Sequence, residues 1–109
     1  MSNDAHIPAG EALATASLIS STAHGISSRI LLKTGGGNVT LFAFDAGQGL
    51  TEHTSPFEAL VMVLDGSLTL TIGGTPVLAT PGTIVRMPAN VPHGLDAPEP
   101  CRMLLTMLK

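Results

Sequence analysis

The chain has no tryptophan, no tyrosine and only three phenylalanines in 109 residues. Its interior must be built from aliphatic side chains and methionine, so any pocket there is expected to be small and fairly apolar. Cysteine occurs once, at Cys101. That excludes an internal disulfide and a thiolate zinc cage, and it points to a reducing, cytoplasmic setting. Charge is also scarce. Asp, Glu, Lys and Arg make up 12% of the chain, about half the usual share of roughly 25%, and a surface so short of charge is expected to be partly covered. The five basic residues, Arg29, Lys33, Arg86, Arg102 and Lys109, form no run, and the net charge is −3. No nucleic-acid partner is expected.

Long apolar runs are absent as well. Stretches such as Leu60 to Leu64 fall far short of the ~20 residues that cross a bilayer as a helix, so no membrane partner is expected. Ala12 to Ala16 superficially resembles the end of a secretory signal. However, Asp4 stands where positive charge belongs, and Pro8, Gly10 and Glu11 interrupt any apolar segment. The length suits one domain with one core. Residues 1–10, polar with Pro8 and Gly10, read as a loose N-terminal arm, and 11–109 as a single domain.

What the chain does contain is short β-prone segments punctuated by Gly and Pro. Ile26 to Leu32 and Val39 to Phe44 flank Gly35-Gly36-Gly37-Asn38 and read as a hairpin. Ser67 to Ile72 alternates polar and apolar, which places Leu68, Leu70 and Ile72 on one face and Thr69 and Thr71 on the other. Asp65-Gly66 and Gly73-Gly74 bracket that strand as turns, so its neighbours are expected to run antiparallel to it. Val77 to Thr80, Thr83 to Met87 and Cys101 to Leu108 follow, and Glu11 to Ser20 is ambiguous. Eight or nine such strands indicate an all-β fold, a small closed barrel or jelly roll. Leu60 to Leu64 and Leu41 to Phe44 are apolar on both faces. A barrel buries only one, so a second subunit, giving a homodimer, or the N-terminal arm must cover the other.

Two spaced motifs give the fold a family likeness. Gly47 is followed after five residues by His53, and the segment closes on Gly66. Further on, Gly82, Pro88 and His93 stand at intervals of five and four intervening residues, with Asn90 between the last two. This pattern resembles the paired motifs of the cupins, which implies a β-barrel of the double-stranded β-helix type over 11–109. The resemblance also implies a metal pocket, because cupins that bind a divalent ion (zinc, iron, nickel or manganese) use two His and a Glu from the first motif and one His from the second. Mapped here, His53 and His93 are retained, Ser55 takes the second His position, Ala59 the Glu position and Ala97 the final Asn position. Asn90 replaces a glycine, which Asn can do because it tolerates a left-handed backbone.

His53, Ser55, Ala59 and His93 are thus the expected pocket residues. Glu58 is a candidate third metal ligand, since two His and one carboxylate suit non-haem iron. Strand parity sets it facing outward unless a bulge near Pro56 shifts the phase. His6 and His24 match no motif. Cys101 reads as a small buried apolar residue, and Met62, Met87, Met103 and Met107 read as core filling rather than a specialised soft-metal site. Three functions fit these residues. The first is a non-catalytic pocket for a small organic ligand. The second is a metal-dependent enzyme like the cupin dioxygenases, isomerases or decarboxylases, using His53 and His93. The third is metal-free acid–base chemistry, with one His as base and the other His, or Glu52 or Glu58, as its partner. Fold analogy alone does not choose among them.

Overall fold

The computed structural model describes residues 6–109; the first half of the expected N-terminal arm, residues 1–5, lies outside them. A single 3-10 turn, Thr15–Ser17, resolves the ambiguous stretch. Nine strands follow: β1 (Ile26–Thr34), β2 (Gly37–Phe44), β3 (Gly49–His53), β4 (Glu58–Asp65), β5 (Leu68–Ile72), β6 (Thr75–Ala79), β7 (Ile84–Met87), β8 (His93–Asp96) and β9 (Cys101–Leu108). They form two antiparallel sheets of order β1-β2-β9-β4-β7 and β3-β8-β5-β6, which face each other as a jelly-roll barrel.

The core fills the space between the sheets and obeys strand parity. On β4, Ala59, Val61 and Val63 are buried, and on β5 Leu68 and Leu70 are buried opposite them. Phe44, Ala79, Met87, Leu95, Ala97, Cys101 and Met103 complete the cluster. The hairpins read at Gly35-Gly36 and Gly73-Gly74 are present as β1–β2 and β5–β6 ladders.

The Asp65-Gly66 turn behaves differently from expectation. β4 pairs with β7 and β9, whereas β5 pairs with β6 and β8, so this turn carries the chain from one sheet to the other rather than closing a hairpin. Gly66 is held there at φ 72°, and a Cβ at this site would lie 2.0 Å from the Pro100 carbonyl oxygen. Both the left-handed backbone and the close approach require glycine.

A second, smaller cluster explains part of the doubly apolar character of β2. Leu41, Ala43 and Leu31 are buried under Ile7, Leu18 and Ile19, so the segment before β1 lies over the outer face. Several bonds tie it down. The Ile7 N–H donates to the Leu31 carbonyl, the Lys33 N–H donates to His6 Nε2, and the side chains of Arg29 and Arg102 donate to the carbonyls of Leu18 and Ala16. Among the described residues, nothing covers the far part of that face. Ile84 is 61% exposed, Leu108 51% and Leu32 48%, and Met62, read from sequence as core, points to this outer side half-buried, because it is one residue out of phase with Val61 and Val63.

Candidate functional site in the barrel interior

A cavity of about 60 Å³ opens between the two sheets. Its polar edge is His53, Ser55 and His93, and its walls are Ala59 with Leu50, Leu95, Leu105, Met87 and Met107. The four pocket residues read from the motifs therefore line one space. His53 and His93 are direct partners across β3 and β8. Their rings lie 4.4 Å apart between centroids in an edge-on arrangement, interplanar angle 67°.

His53 reaches the cavity through a local irregularity. Leu50 pairs with Leu95 and His53 with His93, so Thr51 and Glu52 together stand against Gly94 alone. Such a bulge shifts side-chain phase by one residue. Without it, Leu50 and Glu52 would face inward and His53 outward. Gly94 leaves room for the bulge, because a Cβ there would come within 3.3 Å of the Leu50 carbonyl oxygen and 3.4 Å of the Glu52 nitrogen.

His93 is positioned by the loop before it. Asn90 adopts φ 64°, as expected of an Asn in a glycine position, and its N–H donates to the Ser55 carbonyl at 2.8 Å. The two motifs are thereby joined at the cavity rim.

Both imidazoles are oriented in the same way. His53 Nδ1 bonds the Thr51 carbonyl at 2.8 Å and His93 Nδ1 bonds the Val91 carbonyl at 3.1 Å. A carbonyl oxygen only accepts, so in each ring Nδ1 carries a hydrogen, and Nε2 is the nitrogen left for a ligand. His93 is buried, whereas His53 is exposed at the rim.

Neither candidate carboxylate joins them. Glu58 keeps the outward parity of β4. Its Oε1 accepts from Arg86 Nε at 2.8 Å and its Oε2 from the Ala89 N–H at 2.9 Å. Those bonds, the Ala89 N–H first and Arg86 second, hold its carboxyl below the usual carboxylate range. The bulge falls in β3 rather than near Pro56, so the phase of β4 is unchanged at Glu58. Glu52 is turned to the outside by the same bulge that brings His53 in, and it lines an open groove with Thr71 and Asp96. His6 is engaged with Lys33, and exposed His24 stands at φ 60° with its N–H on Asp45. Neither lines the cavity.

The paired motifs on a barrel of two antiparallel sheets have a direct counterpart in sequence: the profile described as the cupin domain matches residues 40–107. The chain belongs to the cupin family. Solved structures agree with that assignment. The conserved SPY1581 protein of unknown function from Streptococcus pyogenes is 31% identical over 95% of this chain and 91% of that one, with a TM-score of 0.89. A cupin 2 conserved barrel domain protein from Leptotrichia buccalis is 32% identical over 86% of this cupin and 46% of that chain, TM-score 0.83. A cupin superfamily protein from Desulfitobacterium hafniense shares the fold at 23% identity and TM-score 0.88. No curated protein matches at a significant level.

The divalent metal that the family often holds does not fit the donors of this cupin. Two imidazole nitrogens remain, Ser55 supplies a poor ligand and Ala59 none. Among the described residues, no three His, Cys, Asp or Glu side chains converge. Catalytic zinc and iron centres rest on three protein ligands.

Proposed function

We propose that this cupin is a binding protein whose barrel cavity takes one small hydroxylated organic molecule. The observation that carries the reading is the shared orientation of the two rings in one cavity, each held through Nδ1 by the carbonyl two residues before it, which leaves Nε2 as the nitrogen for a ligand. Two neighbouring acceptors suit a ligand with O–H groups, and the aliphatic walls suit a short carbon skeleton. Size restricts it further. At about 10–15 Å³ per water-sized site, a cavity of about 60 Å³ holds only a few heavy atoms, far below the ~300–1,000 Å³ of drug-sized sites. Among the described residues, no carboxylate stands beside the rings to serve as the partner of a catalytic His, since both Glu52 and Glu58 are turned away.

The test is to follow the ring nitrogens of His53 and His93 by NMR while titrating untagged protein with 1,2-propanediol or glycolate. Both rings should respond together, and either His53→Ala or His93→Ala should abolish saturable binding. Rings that stay still with both probes sink the proposal.

A reducing, cytoplasmic location accords with the free, buried Cys101. The uncovered strip along β7, β4 and β9, with Ile84, Leu60, Met62 and Leu108, is best filled by a second copy of the chain. Its apolar side chains would then continue the coverage that Ile7, Leu18 and Ile19 give the other half of the sheet.

A further inference from the structure

The cavity wall opposite the imidazoles holds two side chains whose chemistry the organic-ligand reading does not use. Ala59 pairs with Met87 on one side, in the β4–β7 ladder, and with Met107 on the other, in the β4–β9 ladder. All three line the cavity with His53 and His93. Where a cupin metal site would place a carboxylate, this chain has a methyl group between two thioethers.

That exchange changes the class of ion that fits. A thioether is a soft, neutral donor that holds hard divalent ions poorly, whereas imidazole and thioether together suit cuprous copper. Cuprous copper is a closed-shell ion and needs no carboxylate to neutralise a second charge. The cavity volume also suits an ion better than a large ligand. Elsewhere in the lining, leucine fills space at Leu50, Leu95 and Leu105, so packing by itself does not call for sulfur at both positions beside Ala59. Met103, in contrast, is fully buried in the core and is absent from the lining.

We propose that His53, His93, Met87 and Met107 form a binding site for monovalent copper, with Nε2 of each imidazole and the two thioether sulfurs as its donors. The proposal goes beyond the organic-ligand reading and does not depend on it, although the two occupants would compete for the same Nε2 atoms.

The experiment is an anaerobic titration of the untagged full chain with cuprous ion held by bicinchoninate, whose colour reports the copper it loses. One equivalent should pass to the protein. Met87→Leu and Met107→Leu, which conserve volume and keep both imidazoles, should each weaken uptake at least tenfold, and His93→Ala should abolish it. Zinc offered at the same concentration should not compete. X-ray absorption of the copper-loaded protein should show both nitrogen and sulfur neighbours, and thermal melts confirm that each variant is folded. Failure to draw copper from the chromophore overturns the site, as does unchanged affinity in both folded methionine variants. Because those variants retain the His pair, diol or glycolate binding should persist in them. In the unaltered chain, failure to take up copper while the probes still bind therefore tells against the copper site alone, and failure to bind the probes while copper is still taken up tells against the organic ligand alone.

Discussion

At the scale of single residues, the environments of Cys101 and Glu58 shift their titration in opposite directions. Burial pushes the Cys101 thiol up to about 11, with Asp65 and Glu99 adding to it. The folded chain therefore keeps this proton where the unfolded chain loses it, and stability should fall as pH rises from about 9 toward about 11. A Cys101→Ala variant should flatten that decline in urea melts. The native thiol should also resist alkylation at pH 8 and react on unfolding, since the thiolate is the nucleophile. Glu58 has the opposite sign. Its carboxyl is depressed, so its contribution is present above the ordinary carboxylate range and is lost as pH falls through the folded value. Glu58→Gln should leave ligand binding at the cavity in place and reduce the acid dependence of unfolding. A variant that lost binding would show that the carboxylate acts on the cavity through the Ala89 loop.

At the scale of the strand and turn, the site depends on a bulge and a crossover. Gly94→Val would push a branched side chain against Leu50 and Glu52, where even a Cβ is 3.3–3.4 Å from the backbone. The expected outcome is a folded protein in which His53 no longer tracks His93 in ligand titrations, read by the same NMR signals. Gly66→Ala is a harsher change, since it adds left-handed strain and a Cβ on the Pro100 carbonyl. It should cost about 1–3 kcal/mol or more, measured as a lower urea midpoint with unchanged m. These elements also show the reach of pattern reading. The Gly35-Gly36 and Gly73-Gly74 hairpins were legible because both strands of each lie in one sheet and the turn residues act locally. The Asp65-Gly66 turn carries the same local signal, yet its strands separate, because pairing is decided by which distant strands, β9 and β8, take the free edges.

For the whole molecule, the question is how so little charge is accommodated. The segment from His6 to Ser20 shields Leu31, Leu41 and Ala43. A chain beginning after residue 20 should be markedly less stable and prone to aggregate, because its exposed apolar patch would be larger. The strip on the other half of the sheet should be closed by a second copy. Sedimentation should give a dimer at micromolar concentration, and Ile84→Asp, at a residue 61% exposed in the single chain, should give a folded monomer. An already monomeric wild type would remove this proposal without touching the cavity.

Much of this protein is decided by the chain locally. Alternation on β4 and β5, the turn glycines and Asn90, and the interval from Gly82 to Pro88 to His93 act over a few residues, and they determine an all-β cupin barrel with His93 and Ala59 inside. Parity likewise sends Glu58 outward. The inward turn of His53, the exclusion of Glu52, and the meeting of Met87 and Met107 around Ala59 were decided only by tertiary structure. Each depends on register between strands far apart in sequence: a two-against-one pairing over Gly94 in the first two cases, and the order β7-β4-β9 in the third. Side-chain period is a property of one strand, whereas register belongs to the pair, and the cavity is built from register.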